Sequence, residues 1–158
     1  MERFAVASPL GSLTVTLDGD NVTRLEFSHS LRNGKITQSA ETPTSPAGVH
    51  VAATLETYFA CGDLGLLKLS PGGTAFQQRV WEALRAVPAG ETATYGELAA
   101  HAGAPRASRA VGQACARNPI PVLIPCHRAV GASGPGGWSG LPGAKEWLLK
   151  HEASRAEV

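Results

Sequence analysis

The sequence predicts an α+β protein, with a small strand-rich N-terminal half followed by a mostly helical C-terminal half. Three observations carry this. Ser12-Leu13-Thr14-Val15-Thr16-Leu17 alternates polar and apolar between two turn signals, Pro9-Leu10-Gly11 and Asp18-Gly19-Asp20, which is the pattern of a half-buried strand in a meander. Pro71-Gly72-Gly73 sets three chain breakers in a row, the best boundary in the chain. Thr74 and Thr94 each stand at capping-box distance from Gln77 and Glu97, so two helices start there.

In order, strands are expected over 3–8, 12–17 and 22–28. The polar stretch from Ser28 to Ala47, with Gly34, Pro43 and Pro46, reads as a loop. A helix is expected over 47–60, where Val51, Leu55, Tyr58 and Phe59 share a face. Leu66-Leu67-Lys68-Leu69 is a short strand candidate. Residues 1–70 carry no chemical signature and form a scaffold domain; residues 74–158 form the second domain. There, helices are expected over 75–84 and 95–102, the latter closed by Gly103, and over 106–117 after Pro105. Two short helices across a Gly-containing turn make a helix-turn-helix pattern. Pro121 to Ile124 reads as a short buried strand, 131–140 as a Gly-rich loop walled by Trp138, and 144–152 as the last helix.

A chain of 158 residues buries a core without metals or cross-links. No charged and apolar leader opens it, and no apolar run approaches ~18 residues, so a cytoplasmic protein with no membrane partner is expected. Cys61, Cys115 and Cys126 make an odd count without C-x-x-C spacing; neither a disulfide framework nor a metal site is expected. Charge is unevenly spread. From Leu98 to Lys145 there is no Asp or Glu, while Arg106, Arg109, Arg117, Arg128 and Lys145 lie in that span. Such a surface suits a polyanion.

The chemistry concentrates at Ile124-Pro125-Cys126-His127-Arg128. A thiol needs a base or a positive field to become a nucleophile, and His127 and Arg128 are its sequence neighbours. A third group must orient the imidazole; Glu152, at the end of the last helix, is the best candidate. The competing reading is a cysteine buried at a strand end. Around Arg109, the small residues Ala107, Ser108, Ala110, Gly112, Ala114 and Ala116 allow close approach to another surface. Tight helix packing inside the domain explains the same composition.

These residues assemble into a pattern that resembles the O6-alkylguanine-DNA alkyltransferases, also called methylated-DNA–protein-cysteine methyltransferases. It comprises Asn118-Pro119-x-Pro121 with Ile124-Pro125-Cys126-His127-Arg128, Phe76-Gln77-x-x-Val80-Trp81, Gly90-Glu91-Thr92-x-Thr94-Tyr95-Gly96, Arg109-Ala110-Val111-Gly112 and Lys145-x-Trp147-Leu148-Leu149. The match covers Thr74 to Glu152; the first half shares only Ser8-Pro9-Leu10-Gly11 and Leu55-x-x-Tyr58-Phe59.

The resemblance implies a ribonuclease-H-like N-terminal fold and a winged-helix-like C-terminal domain that binds duplex DNA carrying O6-alkylguanine through the minor groove, as a monomer. It implies no cofactor and no metal. The alkyl group would pass irreversibly to Cys126 through a Glu152–His127–water–Cys126 relay, with O4-alkylthymine as a secondary substrate. Arg109 would replace the extruded base. Tyr95 would rotate the nucleotide and donate to guanine N3, with Lys145 supporting it, and Asn118 would be the hinge between recognition helix and active site. Thr94, Ala107, Ser108, Ala110, Gly112 and Arg128 would meet DNA with Arg109. Tyr95, Pro121, Ala129, Trp138 and Ser139 would line the pocket, Trp138 replacing the family's usual Tyr. A non-catalytic damage-binding protein and a Cys-His hydrolase are the alternative classes.

Overall fold

The computed structural model describes residues 1–27, 42–61, 67–131 and 143–156. The chain divides into two compact units, Met1–Pro71 and Gly72–Val158. Among the described residues the fold is mixed α/β, with five α-helices, a three-stranded sheet and a two-stranded sheet.

The first unit is an antiparallel meander of β1 (Glu2–Ser8), β2 (Gly11–Asp18) and β3 (Asn21–Phe27). Phe4, Val6, Leu13, Val15, Leu17, Val22, Leu25 and Phe27 are all buried. Strict alternation would not put Val22 and Leu25 on one face. The register shifts beside Thr16/Leu17, so that Thr16 pairs Arg24 while Leu17 pairs Val22; the extra residue, Thr23, reconciles the two. Helix α1 (Pro46–Cys61) lays Val51, Leu55 and Tyr58 into the core. Its start is tied to β1 by Glu2, whose carboxylate accepts from Thr44 N (2.7 Å), Ser45 N (3.2 Å) and the Ser45 hydroxyl. Those bonds, Ser45's first, hold the Glu2 carboxyl below its usual range. Gly48 leaves room for this carboxylate, since a Cβ would lie 2.9 Å from it and displace it. The expected strand at 66–69 shrinks to one parallel bridge between Leu69 and Val22. Ser70 N donates to Val22 O and Val22 N to Lys68 O; residues 62–66 lie outside the described residues.

In the second unit, α2 (Ala75–Arg85) opens on a complete capping box. Gln77 N donates to Thr74 Oγ1 (3.1 Å) and Thr74 N to Gln77 Oε1 (3.0 Å). Gly73, at φ +83, lets Trp81 fold beneath the chain entry. Trp81 Nε1 donates to Ala114 O at 3.0 Å, which satisfies a buried indole and fixes α2 to the helix that carries Ala114. Strand β4 (Ala93–Thr94) leads into α3 (Tyr95–His101), capped by Thr94 and Glu97 in the same reciprocal way. Helix α3 ends in a Schellman motif: Ala104 N reaches Ala99 O, Gly103 N reaches Ala100 O, and Gly103 sits at φ +78.

Helix α4 spans Ser108–Ala116, two residues shorter at its start than expected. Pro105 and Arg106 form a turn, and Ala107 N closes on Ala104 O, so the first turn is spent on reversing the chain. Helices α2, α3 and α4 pack against one another, burying Val80, Leu84, Leu98, Val111 and Ala114.

The buried strand expected over 121–124 is a turn instead. Ile124 N donates to Ile120 O (2.9 Å), and Val122 is fully buried at φ +74. A β-branched residue there is an outlier costing about 1–3 kcal/mol. Asn118 holds the turn closed: its Oδ1 accepts from Ile120 N (2.9 Å) and its Nδ2 donates to Ile124 O (2.8 Å). A single 3₁₀ turn follows at Cys126–Arg128, then β5 (Ala129–Val130), which pairs in parallel with β4, and finally α5 (Ala144–Ala156).

Candidate functional site

Cys126 begins the 3₁₀ turn and is 6% exposed; His127, Arg128 and Glu152 are buried beside it or against it. The turn points successive side chains in different directions, so adjacency in sequence does not give adjacency of function. The imidazole is oriented by α5. Glu152 Oε2 lies 2.8 Å from His127 Nε2. The same carboxylate is gripped by Arg128, whose Nε donates to Oε1 (2.9 Å) and whose Nη2 donates to Oε2 (2.7 Å). A carboxylate held through two charge-assisted bonds is acceptor-only, so His127 Nε2 carries the proton. His127 Nδ1 then presents a lone pair. It is buried and bonded to no partner.

Burial pushes the Cys126 thiol up to about 11, against the opposing pulls of the Asn118 side chain and the Lys145 charge. At rest it is therefore a thiol at neutral pH. Burial also lowers the affinity of His127 for a proton; Glu152 opposes that, and Arg128 and Lys145 add to it. The pair is thus a neutral thiol and a neutral base. The sign for reactivity follows. An ordinary cysteine is largely ionised above ~8.5, whereas this one keeps gaining thiolate up to about 11. Carbamidomethylation of Cys126 by iodoacetamide, followed by peptide mapping, is expected to accelerate about tenfold per pH unit from neutrality to pH ~9 without levelling off. A plateau near ~8.5 would contradict the buried-thiol assignment.

Lys145 is buried to 2% exposure, and its Nζ donates to Ala129 O at 2.8 Å. Burial lowers its proton affinity, with Cys126 and Cys115 opposing. Cys115, on α4, is itself pushed up to about 12 by burial first and by Cys126 second.

Tyr95 reaches this region through the backbone. Ala93 pairs with Ala129 and Thr94 with Val130, so the first residue of α3 follows directly from a strand anchored two residues past His127. Tyr95 is half-buried, as is Pro121, while Ala129 is fully buried. Trp138 and Ser139, expected in the pocket, lie outside the described residues.

On α4 the sides separate cleanly. Val111 and Ala114 are buried; Ser108, Arg109, Gln113, Ala116 and Arg117 are exposed, with Ala107, Ala110 and Gly112 between. Residues 109, 112, 113 and 116 are neighbours on one face. A Cβ on Gly112 would meet nothing within 4 Å, and its φ is not positive, so nothing within the fold requires glycine there.

Two residues depart from expectation. Arg128 was expected on a nucleic-acid surface, and with Lys145 it was counted in the basic span. Both are buried. Arg128 is committed to Glu152 and, through Nη1, to Val87 O at 2.6 Å. The exposed cations of that span are Arg106, Arg109 and Arg117. The Arg128–Glu152 clamp had no signal in the sequence, because a lone Arg after a His reads equally as surface charge. Among the described residues, no cluster of His, Cys, Asp or Glu could hold a metal ion, and no helix is long and apolar enough to cross a membrane.

Residues 75–154 match the family model described as the DNA-binding domain of 6-O-methylguanine DNA methyltransferase. The chain is 41% identical to a methylated-DNA–protein-cysteine methyltransferase of Salmonella typhimurium, over 93% of this chain and 92% of that protein. It is 42% identical to the one of Mycobacterium bovis, over 96% and 92%. Among solved structures, it is similar to Mycobacterium tuberculosis OGT in complex with DNA, at 40% identity and TM-score 0.83, covering 98% of this chain and 94% of that one.

Proposed function

Because the chain belongs to the methylated-DNA–protein-cysteine methyltransferase family, we propose that it repairs DNA by moving the alkyl group of O6-alkylguanine onto its own Cys126. The observation that carries this is the buried Cys126 lying in one unit with the His127–Glu152 pair and with the exposed, arginine-bearing face of α4.

In the transfer, the thiol proton passes through a water to the free lone pair of His127 Nδ1. The sulfur forms a bond to the alkyl carbon, and the carbon–O6 bond breaks with its electron pair staying on guanine. Tyr95 donates to N3 and stabilises the charge that develops there. Lys145 positions Tyr95 from behind, and Asn118 couples α4 to the reacting turn by clipping residues 120–124. No cofactor takes part. The product is a thioether, so each molecule acts once; O4-alkylthymine is a secondary substrate.

DNA is the partner, engaged in the minor groove by α4 and by Thr94, the cap of α3. The thiol is buried, so the damaged nucleotide must leave the stack to reach it, and Arg109 fills the gap. Ala107, Ser108, Ala110 and Gly112 keep the contact surface shallow. Residues 74–158, winged-helix-like, carry the chemistry; residues 1–70 are a ribonuclease-H-like scaffold, supported by the meander, its helix and the parallel bridge at Leu69. The protein acts as a cytoplasmic monomer.

Incubation with a duplex containing O6-methylguanine is expected to raise the intact mass by ~14 Da, one methyl in place of a thiol hydrogen, on the peptide holding Cys126. Bound duplex without any mass gain would reject transfer in favour of damage binding alone.

Two further outcomes separate DNA handling from chemistry. Arg109→Ala is expected to react with free O6-benzylguanine within about threefold of wild type, yet to lose roughly 10²-fold on duplex, since a few kcal/mol of unstacking is no longer offset. Single-turnover rates on the two substrates measure this, and equal losses on both would contradict the extrusion role. Gly112→Ala is expected to stabilise the fold by about 0.5–1 kcal/mol in urea titrations, because the added methyl meets open space. Its affinity for duplex, read by fluorescence anisotropy, is expected to fall. Unchanged affinity would remove Gly112 from the contact surface.

A further inference from the structure

We infer that Arg128 is a positioning residue for the transfer step, acting through Glu152 to keep His127 a neutral base whose free nitrogen can accept the thiol proton. This rests on the alkyl-transfer reading above and adds to it a residue that touches neither DNA nor the reacting atoms.

The geometry is that of one carboxylate shared by two potential cations. Glu152 Oε2 accepts from Arg128 Nη2 at 2.7 Å and from His127 Nε2 at 2.8 Å, while Oε1 accepts from Arg128 Nε at 2.9 Å. His127 and Glu152 side chains are fully buried and that of Arg128 is 6% exposed. A guanidinium does not give up its proton in a protein. With Arg128 charged, a charged His127 would leave a surplus positive charge in a buried cluster, which is costly. The imidazole is the group that can shed a proton, and it does. The carboxylate facing Nε2 then dictates which nitrogen keeps its hydrogen, leaving Nδ1 as the acceptor.

Without the guanidinium, its opposing field on His127 is lost while the pull of the Glu152 carboxylate remains, so a second proton on His127 becomes easier to hold. The imidazolium would make Nδ1 a donor, and a donor cannot take the thiol proton. The clamp is held from a third direction, because Arg128 Nη1 donates to Val87 O in the segment after α2 at 2.6 Å.

The other groups around His127 do not replace Arg128. From α5, Lys145 adds positive charge but is turned to Ala129 O; Glu146 and Lys150 are exposed, and His151 stacks on Trp147. From α2, which also packs on the turn, Val80, Trp81 and Leu84 are buried while Arg79, Glu82 and Arg85 are exposed. Within the turn itself, Cys126 is a neutral thiol.

The test is the imidazole ¹⁵N spectrum of the full chain, titrated with pH, for wild type, Arg128→Met and Arg128→Lys, with His127→Asn to assign the signal. Wild type is expected to show a neutral His127 with hydrogen on Nε2 at neutral pH. In Arg128→Met the imidazolium is expected to persist at least about one pH unit higher. The acid limb of the pH–rate profile for O6-benzylguanine should move up by the same amount. Arg128→Lys, which keeps the charge, is expected to restore most of both. An imidazolium in wild type at neutral pH would overturn the inference, whether or not the Arg128 variants fold. So would an Arg128→Met protein whose titration is unchanged and whose rate falls only with its folded fraction. The spectrum requires no substrate, so failure of wild type to transfer an alkyl group is seen separately and counts against the alkyltransferase reading itself.

Discussion

Cys126→Ser is expected to fold and to bind duplex DNA while accepting no alkyl group at all. The substituted atom lies in a site that is 6% exposed, with the Asn118 side chain acting on it, so a hydroxyl finds a polar neighbour. The cost of burying it is about 1–3 kcal/mol, which is within what a domain of this size tolerates. The chemistry does not survive. Burial already pushes the thiol up to about 11, near the limit of what a neutral imidazole can deprotonate, and a hydroxyl is a far weaker acid still. Intact mass after prolonged incubation with O6-methylguanine duplex is expected to stay unchanged, while anisotropy reports duplex affinity within about threefold of wild type, because the DNA contacts proposed above involve the exposed face of α4 and not the thiol. A retained mass gain would move the acceptor to another thiol. Cys115 is the nearer alternative in the chemistry of the site, but burial and Cys126 together push it up to about 12; Cys61 is exposed in the other unit.

Where side chains repeat with a period, or cap a helix by local bonding, structure was readable from sequence. Both capping boxes involve residues three apart, and a bond of that reach depends on little beyond the chain itself. The Gly103 stop is equally local, since the Schellman geometry needs one residue at positive φ. Other features are set by contacts that sequence spacing does not encode. Pro121-Val122-Leu123-Ile124 is an apolar run, and such a run is a buried strand or a buried turn with the same composition. Here the Asn118 side chain decides, by taking up Ile120 N and donating to Ile124 O. The β4–β5 pair is only two residues long on each side, too short to show periodicity, yet it ties the start of α3 at Tyr95 to the strand that follows the Cys126–Arg128 turn. Arg128 is the clearest case. Its charge read as surface because most arginines are exposed, and only the fold shows that a carboxylate 24 residues away accounts for it.

Glu152→Ala is expected to damage stability and transfer together, and the two effects have separable sizes. The variant leaves the Arg128 guanidinium buried without its anion and removes the acceptor of His127 Nε2. Deleting one partner of a buried pair costs about 3–5 kcal/mol, most of it from the charge left behind. In urea titrations that would consume a large part of a typical 5–15 kcal/mol stability. Glu152→Gln keeps the shape and one acceptor oxygen. It must satisfy either Arg128 or His127, and its amide donors face two groups that also donate, so it is expected to fold better than the alanine variant. Its rate on O6-benzylguanine, per folded molecule, is nonetheless expected to fall roughly 10²- to 10⁴-fold, the usual range for a misaligned general base. Chemical denaturation gives the first number and single-turnover mass spectrometry on the folded fraction gives the second. If Glu152→Gln transferred at the wild-type rate, the carboxylate would be a packing element only, and the proton would have to leave Cys126 by a route that does not involve His127.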